Sequence, residues 1–166
     1  MIAYPIADSG QVLEFSDAVL RRFSRYRQRR WYQREAGGQL FARFSETKIL
    51  VEEATGPRRT DVRTRTSYVP DRKAEQREID TRHAAGLHYI GDWHTHPESV
   101  PVPSWRDKHS IAESVRKSTH TLQGFVLVVV GQMKAPAGLA VSVYDAAGGR
   151  LALEEIARIE ADSERA

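Results

Sequence analysis

The spacing of apolar positions along the chain separates helical segments from extended ones. Val19, Leu20, Phe23 and Tyr26 recur at three- and four-residue steps behind Ser16 and Asp17, which predicts a capped helix running to about Arg29. Residues 11–15, 39–44 and 48–54 have the length and alternation of strands, the last two as a hairpin. Residues 31–35 read as extended, and Gly37-Gly38 as a bend or a close backbone approach. Residues 55–70 are the least regular, with an extended-looking piece at 64–69. Pro70 and Asp71 open a polar helix that Gly86 ends. The apolar run 87–90 then reads as a buried strand. A helix from Ser104 to about Thr119 turns Ile111 and Val115 inward, with His109 or Ala112 beside them. Residues 125–130 are apolar on both faces and predict a central strand. Residues 139–144 and 150–153 suggest a last hairpin about 147–149, and residues 155–166 read as helix or tail. This order predicts one α/β domain over residues 1–166, a mixed sheet packed with helices.

Composition narrows the chemistry. With 166 residues, 40% hydrophobic and 28% charged, the chain can build an ordinary globular core. It has no cysteine, so thiolate catalysis, disulfides and Cys-type zinc sites are excluded. Residues 1–10 contain Asp8 and lack a basic start before an apolar core, and no run reaches the roughly 18 apolar residues of a membrane helix. The expected location is the cytoplasm. The net charge of +3 is modest but uneven. Arg21, Arg22, Arg25, Arg27, Arg29, Arg30 and Arg34 crowd one stretch with Phe23, Tyr26, Trp31 and Tyr32 interleaved, and a second basic band runs from Arg58 to Lys73. Such bands suit a solvated face, an acidic protein or a phosphate backbone.

The chemistry-bearing stretch follows the strand at 87–90. His94 and His96 stand one residue apart, so on an extended chain both imidazoles project to the same side. Pro97, Pro101 and Pro103 take the chain out of the sheet as a stiff loop. Ser104 is a good helix N-cap, and Asp107 lies one turn inside. A carboxylate delivered to two histidines makes a three-ligand zinc centre with an open position. His88 shares the nominal face of His94, but Gly91 interrupts the register. His109 points to another helix side than Asp107, and His83 and His120 read as surface or helix-end residues.

His94-Thr95-His96-Pro97, six residues, then Ser104 and Asp107 resemble the signature of the JAMM (JAB, MPN-plus) zinc metalloproteases. Glu35-Ala36-Gly37-Gly38-Gln39-Leu40 is similar to the segment that supplies their catalytic glutamate. The resemblance implies the MPN fold, a cytidine-deaminase-like sheet between helices, and one catalytic Zn2+ held by His94, His96 and Asp107. Glu35 is then the general base, and Ser104 the donor to the developing oxyanion. Asp92 and Glu98 are available to accept from the imidazole N–H groups.

The family cuts peptide or isopeptide bonds, often after the C-terminal glycine of a ubiquitin-like modifier. The compact Gly-Asp-Trp-His-Thr-His-Pro form resembles stand-alone bacterial JAB peptidases found beside ubiquitin-like conjugation proteins in anti-phage operons. The implied partner is a ubiquitin-like modifier or its protein conjugate, including a cyclic-oligonucleotide synthase. Residues 60–69 are the candidate edge for an extended tail, with Thr64, Arg65, Thr66 and Tyr68 as contacts. Two alternatives remain: a DNA-repair-associated JAB branch whose arginine bands hold nucleic acid, and a scaffold that keeps the fold without the chemistry.

Overall fold

A computed structural model describes residues 1–6, 9–117, 124–145, 147 and 149–154. The predicted end of the third helix near Thr119, the reading of His120, Gly148 of the turn and residues 155–166 lie outside these. The elements in chain order are β1 (Ile2–Ile6), β2 (Gln11–Phe15), α1 (Asp17–Tyr26), β3 (Gly37–Phe44), β4 (Lys48–Ala54), β5 (Val62–Arg63), β6 (Tyr68–Val69), α2 (Arg72–Ala84), β7 (His88–Thr95), α3 (Trp105–Lys117), β8 (Gly124–Val130), β9 (Leu139–Asp145) and β10 (Arg150–Leu153).

Eight strands form one mixed sheet in the order β1-β2-β4-β3-β7-β8-β9-β10, and β5 and β6 form a separate hairpin. Period-two alternation of the central strands divides the core. Val126, Val128 and Val130 of β8 pack with Trp93 of β7 and with Val19 and Phe23 of α1. Phe125, Leu127 and Val129 face the other way, against Ile111 and Val115 of α3. Both faces of β8 are thus dry, as its unbroken apolar run requires. The sheet is sandwiched: α1 covers one face and α3 the other, with Arg82 of α2 over the ring of Phe41. β7 and β8 run parallel and are joined through α3. None of the helices described is long and apolar enough to cross a membrane.

Local chemistry explains where expectation and structure part. Ser16 caps α1 by accepting from Val19 N, but the helix stops at Tyr26, three residues short of Arg29. There the Arg27 guanidinium turns inward to Ser24 and to the Gln132 carbonyl, and the Gln28 amide is fully buried. Residues 31–35 are not a strand: Gln33 N donates to Arg30 O in a turn that displays Trp31 and Tyr32. Residues 64–69 are not one extended edge either. They belong to the β5–β6 hairpin, which Thr64 and Ser67 close. β1 has no counterpart in the expectation; it pairs antiparallel with β2. His109 stacks on the exposed Trp105 ring instead of entering the core.

Gly37 and Gly38 lie inside β3 and serve a close approach. A side chain at Gly38 would strike the Thr55 carbonyl, and one at Gly37 the Tyr68 ring. Gly91, at φ 144°, sits at the register shift between β3 and β7. The shift turns His88 away, toward Phe44 and His83.

Candidate metal centre

β7 presents different chemistry on its two faces. Trp93 and Thr95 point toward α1, whereas Asp92 and His94 line a cleft of about 760 Å³ on the other side. His96 lies just past the strand, where its N–H donates to Val130 O at 2.9 Å and keeps the chain on track. The two imidazole Nε2 atoms come within 3.2 Å. Asp107 reaches both from the first turn of α3, with Oδ1 3.1 Å from His94 Nε2 and Oδ2 3.3 Å from His96 Nε2.

A helix cap aims that carboxylate. Ser104 N donates to Asp107 Oδ2 at 2.6 Å, and Asp107 N donates to Ser104 Oγ at 3.2 Å. This reciprocal pair satisfies free N–H groups at the start of α3. The cap and the cluster therefore share one carboxylate, and the Ser104 hydroxyl keeps its proton to donate.

The donor set fits a divalent cation. Among the described residues, His94, His96 and Asp107 have ligand atoms all within 4.8 Å of one another. The Nε2–Nε2 separation of 3.2 Å is close to the edge, about 3.3 Å, of a tetrahedron with metal bonds of 2.0–2.1 Å. One Asp107 oxygen lies 3.1 Å from His94 Nε2, while the other lies 3.3 Å from His96 Nε2. Two ring nitrogens and a carboxylate converge as Lewis bases, an arrangement that a cation stabilises. Burial alone would raise the Asp107 pKa, but hydrogen bonds from His94 and His96 hold it well below the carboxylate range. Burial disfavours the charged form of His96, yet its hydrogen bond to Asp107 and the nearby carboxylates raise its pKa.

Glu35 enters the same cleft from the α1–β3 connection. Its backbone is pinned to the β5–β6 hairpin: Glu35 N donates to Thr64 O at 2.7 Å, and Arg63 Nε donates to Glu35 O. Burial pushes its carboxyl up to about 7, with His96 lowering it and the Asp107 charge raising it. A carboxyl poised there can hold or release a proton near neutrality.

Behind the cleft lies a polar network that sequence reading missed. Thr95 Oγ1 donates to Gln28 Oε1 at 2.9 Å and accepts from Ala36 N at 3.0 Å. Gln28 Nε2 donates to Arg65 O at 2.8 Å and to Gln33 O at 3.2 Å. The residue between the two histidines is thereby tied to the residue after Glu35. A polar, β-branched residue alternating with two histidines was the available signal for Thr95. Gln28, one polar residue in an arginine-rich run, carried none.

The other expected residues are divided. Thr66 and Tyr68 line the cleft, and Tyr68 also donates to the buried Asp61 at 3.0 Å. Thr64 and Arg65 serve the framework: Thr64 N donates to Ser67 O, and Arg65 Nη1 donates to Arg30 O and Trp31 O. Asp92 accepts from the Tyr89 hydroxyl at 2.9 Å, not from an imidazole. Burial pushes Asp92 up to about 7, helped by Glu75. Glu98 lies 3.8 Å from His96 Nδ1, a buried atom with no hydrogen-bond partner among the described residues.

The family model for prokaryotic homologs of the JAB domain matches residues 16–144. Among similar proteins, "Probable metalloprotease y4qB" of Sinorhizobium fredii is 35% identical over 92 residues, 52% of this chain and 56% of that protein. The match thus spans little more than half of that relative's length. A "CD-NTase/cGAS isopeptidase" of Pseudomonas aeruginosa is 33% identical over 113 residues, 65% of this chain and 70% of the relative. One of Vibrio cholerae is 31% identical over 119 residues, 69% and 72% of the two chains. The solution structure of a Desulfitobacterium hafniense protein superposes with a TM-score of 0.57 at 15% identity, covering 87% of this chain and 89% of that one. At that identity it supports the fold alone. The family match takes in the whole cleft, from the helix before Glu35 through Asp107 to β9, and the chain belongs to the prokaryotic JAB-domain family.

Proposed function

We propose that this chain is a zinc-dependent isopeptidase that releases a protein from a conjugate by cutting after its C-terminal residue. The observation that carries the reading is the meeting, in one cleft, of Glu35 with His94, His96 and Asp107. The names of the relatives, metalloprotease and CD-NTase/cGAS isopeptidase, point the same way.

His94, His96 and Asp107 would hold the ion through Nε2, Nε2 and the carboxylate. When bound, zinc supplies Lewis acidity that activates water near neutral pH and polarises a carbonyl. Glu35 takes the proton from the attacking water and delivers it to the departing amine. The Ser104 hydroxyl donates to the oxygen that becomes negative, a contribution typically of about 3 kcal/mol. Glu98, 3.8 Å from His96 Nδ1, is the carboxylate placed to close on that N–H and fix its tautomer. The tail lies extended past Thr66 and Tyr68, which line the cleft. By analogy with the relatives named CD-NTase/cGAS isopeptidase, the substrate is a CD-NTase joined to a target, and the family resemblance extends the class to ubiquitin-like modifiers.

The test is incubation of the zinc-loaded protein with a CD-NTase fused through its C-terminal residue to a partner, with the cut site read by mass spectrometry. Cleavage directly after that residue, stopped by chelator and restored by zinc, is expected. Cleavage indifferent to chelator would sink the proposal.

A further inference from the structure

The catalytic cleft can hold a protein tail, but a folded substrate has a body that must rest outside it. One rim carries a surface that neither the fold nor the chemistry uses. Trp31 and Tyr32 are 80% and 65% exposed, packed edge to face at 5.9 Å. Such large apolar side chains in water are costly unless another surface covers them.

The turn that displays them is held rigid. Gln33 N donates to Arg30 O at 3.1 Å, and Arg30 N donates to Gln33 Oε1 at 2.8 Å. Arg65 Nη1 clamps the Arg30 and Trp31 carbonyls, and Gln28 Nε2 holds that of Gln33. A pre-organised aromatic pair loses little freedom on binding. The clamp also fixes its location. Arg65 lies beside Thr66 and Ser67, which line the cleft, and Glu35 follows Tyr32 by three residues.

Charge selects the occupant. From Ala18 to Arg34 the chain has no acidic residue. Arg29, Arg30 and Arg34 are exposed, and among the described residues none of them forms an ion pair with a carboxylate. Unpaired guanidiniums around a Trp–Tyr pair have the composition of a protein-binding hot spot that seeks carboxylates.

We propose that Trp31, Tyr32, Arg29, Arg30 and Arg34 form a docking surface for an acidic face of the folded protein whose tail enters the cleft. The proposal rests on the isopeptidase reading for its substrate. Its partner is a protein, not nucleic acid, because Arg65, which holds the Trp31 carbonyl, adjoins Thr66 and Ser67 of the cleft that takes the proposed protein tail.

The experiment compares wild type with Trp31→Ala/Tyr32→Ala and with Arg29→Glu/Arg30→Glu. Cleavage is followed on a CD-NTase fusion and on a short peptide of the same tail. Binding is measured separately by anisotropy, with labelled CD-NTase and with duplex DNA, at low and high salt. The expected result is a KM raised roughly tenfold or more on the fusion, unchanged turnover of the peptide, and CD-NTase binding weakened in both variants and by salt. Equal kinetics on the fusion, an equal loss on the peptide, or no CD-NTase binding by wild type would overturn the surface. So would DNA binding tighter than CD-NTase binding and lost in the same variants. If wild type cuts neither substrate, the hydrolase reading falls, while the binding measurement still decides the surface.

Discussion

Two charged clusters reach the cleft, one through Glu75 and the other through His94, His96 and Asp107, and only the first surrounds an arginine of the chain with its carboxylates. In the first, Arg58 is surrounded by carboxylates. Its Nε donates to Glu78 Oε1 at 2.9 Å, and Asp61 and Glu75 lie within 3.7 and 3.9 Å of Nη1. Burial would lower the Arg58 pKa, but the hydrogen bond and charge of Glu78 outweigh it and hold the guanidinium protonated. The Asp61 side chain is fully buried and caps the arrangement by accepting from Arg58 N, Asp71 N and Tyr68 Oη. In the second cluster, two imidazole nitrogens and a carboxylate converge, and among the described residues no Lys or Arg is ion-paired to Asp107. The contrast teaches how to read buried polarity. A cluster whose cation comes from its own chain holds the fold together, whereas one made of converging bases is built for a guest.

That distinction can be broken by mutation, beginning with Glu35, the proposed proton carrier. Glu35→Gln should retain zinc and lower kcat about 10²- to 10⁴-fold, measured by steady-state kinetics beside metal analysis. Because the ionised carboxylate is the base, kcat/KM should fall as pH drops through the Glu35 pKa. Burial sets that value near 7 without metal, and a bound cation would move it lower. A rate that stays level through this acid range would remove Glu35 from the role.

Next is the self-contained cluster. Arg58→Met leaves Asp61, Glu75 and Glu78 without their cation and should cost about 3–5 kcal/mol of stability, read by denaturant unfolding. Zinc content should stay at one per chain. Loss of zinc at unchanged stability would reverse the two assignments. The smallest effect belongs to the network behind β7. Thr95→Val removes the hydroxyl that joins Gln28 to Ala36 and should cost about 1–3 kcal/mol. It should lower kcat more than it changes zinc affinity, since the metal-facing side of β7 is untouched. Equal losses in both would mean that the hydroxyl supports only the strand.

How much of this was legible in the sequence follows the same division. The metal-facing residues are close along the chain, and strand periodicity plus a helix cap sufficed to bring His94, His96 and Asp107 together. The alternating core of β8 and the cap of α1 were equally local. Glu35 was found only through resemblance, because its approach depends on the β5–β6 hairpin gripping its backbone. The roles of Gln28 and Arg58 were invisible because their side-chain partners lie up to 67 positions away for Gln28 and 20 for Arg58. β1 escaped because its pairing with β2, not its own short pattern, makes it a strand.

The most direct measurement is zinc stoichiometry of the protein stripped with chelator and then reloaded, for wild type and for His94→Ala and Asp107→Ala. The account predicts one tightly held zinc per wild-type chain and none above background in either variant. A full equivalent of zinc in the variants, or none in wild type, would contradict it.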